Sequence, residues 1–184
     1  MRRGWLVLAL GLLMALSSGC IINHSRKTYE CLDGPAPAGS FADDFDIQVF
    51  GTSYSSNIFA NDVRAPYEIH TRYHTTRPYR AYGIEQVSIQ CGDFRQVLAS
   101  PSDGLKATAE RTERGVNKGS YHAEIELPRK FDHVPADKSQ ILTLELKGWV
   151  DRGSGRTPFS FREKYRYEEE RIVGFATFED LMGI

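Results

Sequence analysis

The feature that most constrains this chain is alternation, because a period of two fits a strand with one buried face and not a helix. Phe45, Ile47 and Val49 alternate with Asp46 and Gln48. Tyr67, Ile69, Thr71 and Tyr73 face one way while Glu68, His70, Arg72 and His74 face the other. Val87, Ile89 and Cys91 make a further inward set, ended by Gly92-Asp93. A short apolar piece, Phe94 to Leu98, leads into the turn Pro101-Ser102-Asp103-Gly104. Two hairpins are expected next. Leu105, Ala107 and Ala109 are read as pairing with Tyr121, Ala123, Ile125 and Leu127 across the turn region Gly115–Gly119. In the second, Leu142, Leu144, Leu146 and Val150 line one face with Gly148 in step. Asp151-Arg152-Gly153-Ser154-Gly155 turns the chain, and Phe159, Phe161, Tyr165 and Tyr167 return on the other arm. Thr177 and Asp180 stand at capping-box spacing before Leu181 and Met182, which predicts one closing helical turn.

Many short strands, turn signals at regular spacing and almost no helical period predict an all-β domain over residues 45–184. The expected form is an antiparallel β-sandwich of about eight strands, immunoglobulin-like or related in arrangement. A closed β-barrel is the alternative. A lipid-facing barrel is excluded, because the polar strand faces carry Arg, Glu, Lys and His where a membrane barrel must be apolar.

The first twenty residues are of a different kind: MRRGWLVLALGLLMALSSGC. Arg2 and Arg3 form a positive start, Trp5 to Leu16 an apolar run, and Ser17, Ser18 and Gly19 a small cluster before Cys20, the pattern of a secretory signal peptide. The end of this leader resembles the lipobox of bacterial lipoproteins, with Leu16 one step further from the cysteine than the family prefers. The resemblance implies that residues 1–19 are a cleaved signal peptide and that Cys20 is the lipidation site. Ile21, rather than Asp, follows the cysteine, which in that family implies the outer membrane. Two or more acyl chains hold a protein stably where one does not. The uncharged run Gly4 to Ile22 is also long enough to span a bilayer as an uncleaved helix, but its small and polar end argues for cleavage. Residues 20–44 contain Gly34-Pro35-Ala36-Pro37-Ala38-Gly39-Ser40 and are expected to form a lipidated tether that lets the domain stand about 25 Å from the membrane.

Without the leader the chain has three more acidic than basic residues, which is not the footprint of a nucleic-acid binder. Lipidation of Cys20 would leave Cys31 and Cys91, an even pair and a disulfide candidate in an oxidising compartment. Closing that loop would be worth about 4 kcal/mol in the chain-entropy model.

Chemistry is sparsely marked. His70 and His74 share a strand face but lie about 13 Å apart, too far to ligate one metal together. His122 and Glu124 share a face at closer spacing but lack an identifiable third ligand. No nucleophile elbow, zinc-protease motif or phosphate-binding loop is present, so no catalytic, metal or cofactor residue is assigned. One stretch stands out: Ile69 to Ile84 has no acidic residue, and Arg72, Arg77 and Arg80 interleave with Tyr79 and its neighbouring tyrosines. Arg72, Arg77, Tyr79 and Arg80 are therefore a candidate partner-binding surface, since Arg and Tyr are enriched in interfaces; the alternative is a strand-to-strand connection around Pro78 with its tyrosines tucked into the core. The function expected is a non-enzymatic binding or scaffolding lipoprotein of the envelope, joined to the membrane by its lipid and to another envelope protein or an anionic glycan by this surface. The alternatives are a periplasmic hydrolase or sugar-processing enzyme on a sandwich, and a carrier of an apolar ligand between two sheets.

Overall fold

The computed structural model describes residues 20–33, 44–57, 60–115 and 117–176. The leader 1–19, the Pro-Ala segment 34–40 and the closing turn at Thr177–Asp180 lie outside the described residues.

Among the described residues ten strands follow one another: β1 (Cys20–Cys31), β2 (Phe45–Asn57), β3 (Ala60–Thr75), β4 (Ala81–Cys91), β5 (Phe94–Ala99), β6 (Lys106–Thr108), β7 (Glu110–Arg111), β8 (Tyr121–Glu126), β9 (Ile141–Asp151) and β10 (Arg156–Ala176). The all-β reading holds. The two-sheet sandwich does not, because the strands form one mixed sheet in the order β5-β4-β9-β10-β1-β3-β8-β7, with β2 also on β3 and β6 on β4. The physical reason lies in the long strands. β10 pairs with β9 through Arg156–Arg166 and with β1 through Tyr165–Ala176, so hydrogen bonding runs continuously where a sandwich would have an inter-sheet gap.

The sheet curls strongly into a half-barrel, and register irregularities interrupt its ladders, two of them in the long strands β3 and β4. In β3, pairing with β2 jumps from Gly51↔Tyr67 to Thr52↔Arg64, which leaves Ala65 and Pro66 bulged where proline has no N–H to give. Past the bulge β3 pairs with β8, and before it with β1 in parallel register. In β4, Glu85 is bulged against β9 between Ile84↔Gly148 and Gln86↔Lys147. Such bulges bend a strand and increase its twist.

The first hairpin differs from expectation. Lys106–Thr108 pair with Ala81–Gly83 of β4, and only Glu110 and Arg111 pair with β8. This short segment thus reaches from one limb of the curl toward the other. The second hairpin forms as read, from Arg156↔Asp151 to Arg166↔Ile141. The turn Pro101–Asp103 is a single 3-10 turn closed by Gly104 at φ 62°.

The inside of the curl is filled by side chains on alternate positions, among them Tyr29, Tyr67, Ile69, Tyr73, Tyr82, Leu144, Tyr165 and Tyr167. Aromatic rings meet edge-on, as between Tyr29 and Tyr67 at 5.1 Å and between Tyr73 and Tyr79 at 4.8 Å. A buried phenol usually finds a partner for its hydroxyl. Tyr82 donates to the Thr71 carbonyl at 2.6 Å and Tyr29 to the His133 carbonyl at 2.9 Å.

Two expectations about the N-terminal part change. The first twelve residues of the expected tether form β1, inserted between β10 and β3 rather than hanging free. The expected disulfide is absent: Cys31 and Cys91 are both free thiols. Cys31 is level with Tyr165 of β10, and β10 and β9 lie between it and β4, which carries Cys91. Three inter-strand steps make a path of about 14 Å, beyond what a disulfide spans. Reductant is therefore expected to leave the thermal transition unchanged, whereas a bonded pair would lose about 4 kcal/mol. A thiol reagent should label exposed Cys31 in the folded protein and buried Cys91 only after unfolding; protection of both in denaturant without reductant would count against this arrangement.

Candidate functional site

A band of charged and titratable side chains lies on the outer face of β2, β3 and β8. Strand alternation puts Glu68, His70, Arg72 and His74 on that face of β3. The β3–β8 register then sets His70 opposite Glu126, Arg72 opposite Glu124 and His74 opposite His122. From β2, Gln48 lies opposite His70 and Phe50 opposite Glu68.

Contacts within the band are diagonal as well as direct. His70 Nδ1 lies 3.0 Å from Glu124 Oε1, and Arg72 Nη2 donates to the other oxygen of Glu124 at 3.3 Å. His70 Nε2 is 3.7 Å from Glu68 Oε2. Lys130, from the loop after β8, donates to Glu68. The ring of Phe50 meets the His70 imidazole edge-on at 5.0 Å. These neighbours favour the ionised form of two carboxylates: Glu68 is shifted below the usual range mainly by the Lys130 hydrogen bond, and Glu124 mainly by its hydrogen bond with His70. Glu68, His70 and Glu126 each bring one ligand-type atom within 4.8 Å of the other two.

The residues expected to form one partner-binding surface are divided. Arg72 belongs to this band, tied to Glu124. Arg77 and Arg80 are exposed in the β3–β4 connection. Tyr79 is only 6% exposed; it donates to the Tyr73 carbonyl at 3.3 Å and meets the Tyr73 ring edge-on in the core, so it presents no surface. The alternative reading, with the tyrosines around Pro78 turned into the core, is the one that fits Tyr79. His70 and His74 do share a face, and so do His122 and Glu124, as expected. His122 turns instead to Thr112 at 3.3 Å and Glu110 at 3.8 Å.

Sequence reasoning missed Glu68, Glu126 and Lys130 as neighbours of His70. The i, i+2 spacings Glu68-x-His70 and Glu124-x-Glu126 were visible, but they converge only once the β3–β8 register is known.

It also missed Glu163, which occupies an inward step of β10 between Phe161 and Tyr165. Tyr165 donates to Glu163 Oε2 at 2.5 Å. Burial raises the Glu163 pKa above the usual carboxyl value, and the charges of Asp33 and Asp46 add to the rise. Its proton is therefore held more tightly folded than unfolded. Stability from this group is gained as pH falls through the folded pKa, and the charged form costs stability above it. Glu163→Gln is expected to raise the urea midpoint at pH 8, with the gain shrinking at pH 4, where wild type is protonated. Equal changes at both pH values would contradict the assignment.

No protein-family model, curated protein or solved structure matches this chain.

Proposed function

We propose that this chain is a lipid-anchored β-domain of the bacterial envelope, held at the outer membrane through acylated Cys20 and acting as a binding or scaffolding module rather than an enzyme. The observation that carries the reading is the leader: a positive start, the apolar run Trp5 to Leu16 and three small residues ending at a cysteine. The fold adds a physical consequence. β1 begins at Cys20, whose register partner is Ala176 at the end of β10. Acyl chains on Cys20 would therefore hold that end of the sheet at the bilayer, with no flexible leash between.

A module so placed meets its partner with the surfaces turned away from the Cys20–Ala176 end. The exposed cations Arg77 and Arg80 are at the connection following β3, whose other end, at Ala60, is level with Asn23 of β1. They remain the contact surface we propose for another envelope protein or an anionic glycan.

The test compares the natural chain with Cys20→Ala in cells, each carrying a photo-crosslinking residue at position 77. The natural chain is expected in the membrane fraction, crosslinked to a discrete envelope component, and the variant in the soluble fraction. Equal distribution of the two forms would overturn the anchor, and absence of any discrete crosslink in the membrane-bound form would overturn the binding role.

A further inference from the structure

Within the outer band, Glu68, His70 and Glu126 form a set of different chemistry from their surroundings. Each offers one nitrogen or oxygen, and the three atoms lie within 4.8 Å of one another. Ligands about 2.1 Å from a tetrahedral zinc ion stand about 3.4 Å apart. His70 Nε2 and Glu68 Oε2, at 3.7 Å, are already near that separation. Glu126 faces His70 directly across the ladder, so rotation of exposed carboxylate side chains closes the rest.

A second observation comes from outside the three. Glu124 Oε1 lies 3.0 Å from Nδ1 of His70, on the side of the ring away from Glu68. The other ring nitrogen, Nε2, faces Glu68 Oε2 at 3.7 Å. A carboxylate behind the imidazole is the arrangement that orients metal-binding histidines. The Phe50 ring packs edge-on against the same imidazole.

A third concerns Lys130. Its ammonium sits on Glu68 and feels the charge of Glu126. The two carboxylates thus already gather one cation, carried on a long, half-exposed side chain that can swing away.

We infer that Glu68, His70 and Glu126 form a site for a divalent first-row transition ion of the zinc type, which displaces the Lys130 ammonium and keeps a fourth position open to water or to a donor from a partner. One imidazole with two carboxylates suits zinc, and the imidazole disfavours calcium and magnesium, which take oxygen ligands. Two ionised carboxylates around a dication leave the site neutral.

The test is calorimetric titration of zinc chloride into the metal-stripped mature chain carrying Cys20→Ala. One equivalent should bind. Binding should be lost in His70→Gln, weakened at least about tenfold in Glu124→Gln, strengthened in Lys130→Ala and unchanged in His74→Gln. All four positions are on the outer face or in a surface loop, and a thermal transition checks that each variant is folded. In the unsubstituted chain, zinc should shift amide NMR signals centred on His70 and Glu126, a reading that needs no variant. No binding, or binding that survives His70→Gln at full strength, would overturn the assignment.

Discussion

Gly148→Val is expected to destabilise the domain by about 3 kcal/mol or more, a large part of the 5–15 kcal/mol that domains typically have. Gly148 stands in β9 between Ile84 of β4 and Phe159 of β10. A Cβ there would run into the Gly83 carbonyl oxygen and come within 2.6 Å of the Phe159 ring. The first obstacle is backbone and cannot rotate away. Gly83 is in the same position from the other side: a Cβ on it would lie 2.5 Å from the Trp149 ring. The bulge at Glu85 brings the two strands together at this point, and the pair of glycines permits it. Gly104→Ala provides the contrast. It meets nothing within 4 Å, so only its left-handed backbone at φ 62° resists substitution, at a cost of about 1 kcal/mol. Urea unfolding of the two variants should separate them clearly; equal losses would contradict the close approach of β4 and β9.

The second large effect concerns β1. A chain beginning at Asp33 is expected to lose its cooperative thermal transition. β1 pairs with β10 along its whole length, from Cys20↔Ala176 to Cys31↔Tyr165, and with β3 from Asn23↔Ala60 to Arg26↔Val63. Removing it would open two unpaired edges in the middle of the sheet. It would also remove Tyr29, whose ring meets those of Tyr67, Phe131 and Tyr167 at 5.1, 5.6 and 5.4 Å. Tyr29→Ala alone should cost about 3–5 kcal/mol, the usual range for truncating a buried aromatic. Circular dichroism melts of the full mature chain, Tyr29→Ala and the truncation should fall in that order. A truncated chain that melts like the full one would return residues 20–31 to the role of a tether.

These two effects show how far the sequence could be read. Alternation in Tyr67–Tyr73, and in Leu142–Leu146 with its returning arm, gave β3, β9 and β10 correctly, because a half-buried strand must alternate. The same alternation could not say what covers the buried face. Another sheet and the far side of the same curled sheet leave identical patterns, so the sandwich was inferred where a half-barrel forms. β1 was missed for a related reason. Asn23-His24-Ser25-Arg26-Lys27 is polar, and Thr28 and Tyr29 are both buried although adjacent, so the strand shows no period of two. It is held by its neighbours' backbone rather than by its own pattern. The site suffered likewise: His70 was noticed and Glu126 was not, because register lies between strands and not within one. Glu163 was passed over because a charged residue at an inward step reads as a break in the pattern, when it is a carboxyl held by Tyr165.

The central claim, a folded domain attached to the membrane directly at the first residue of its first strand, is tested most directly by mass spectrometry of the N-terminal peptide of the protein purified from bacterial membranes. The expected peptide begins at Cys20 and carries the mass of a diacylglyceryl group, with or without a further acyl chain on its amino terminus. A peptide that begins at Met1, or an unmodified one that begins at or near Cys20, would contradict it.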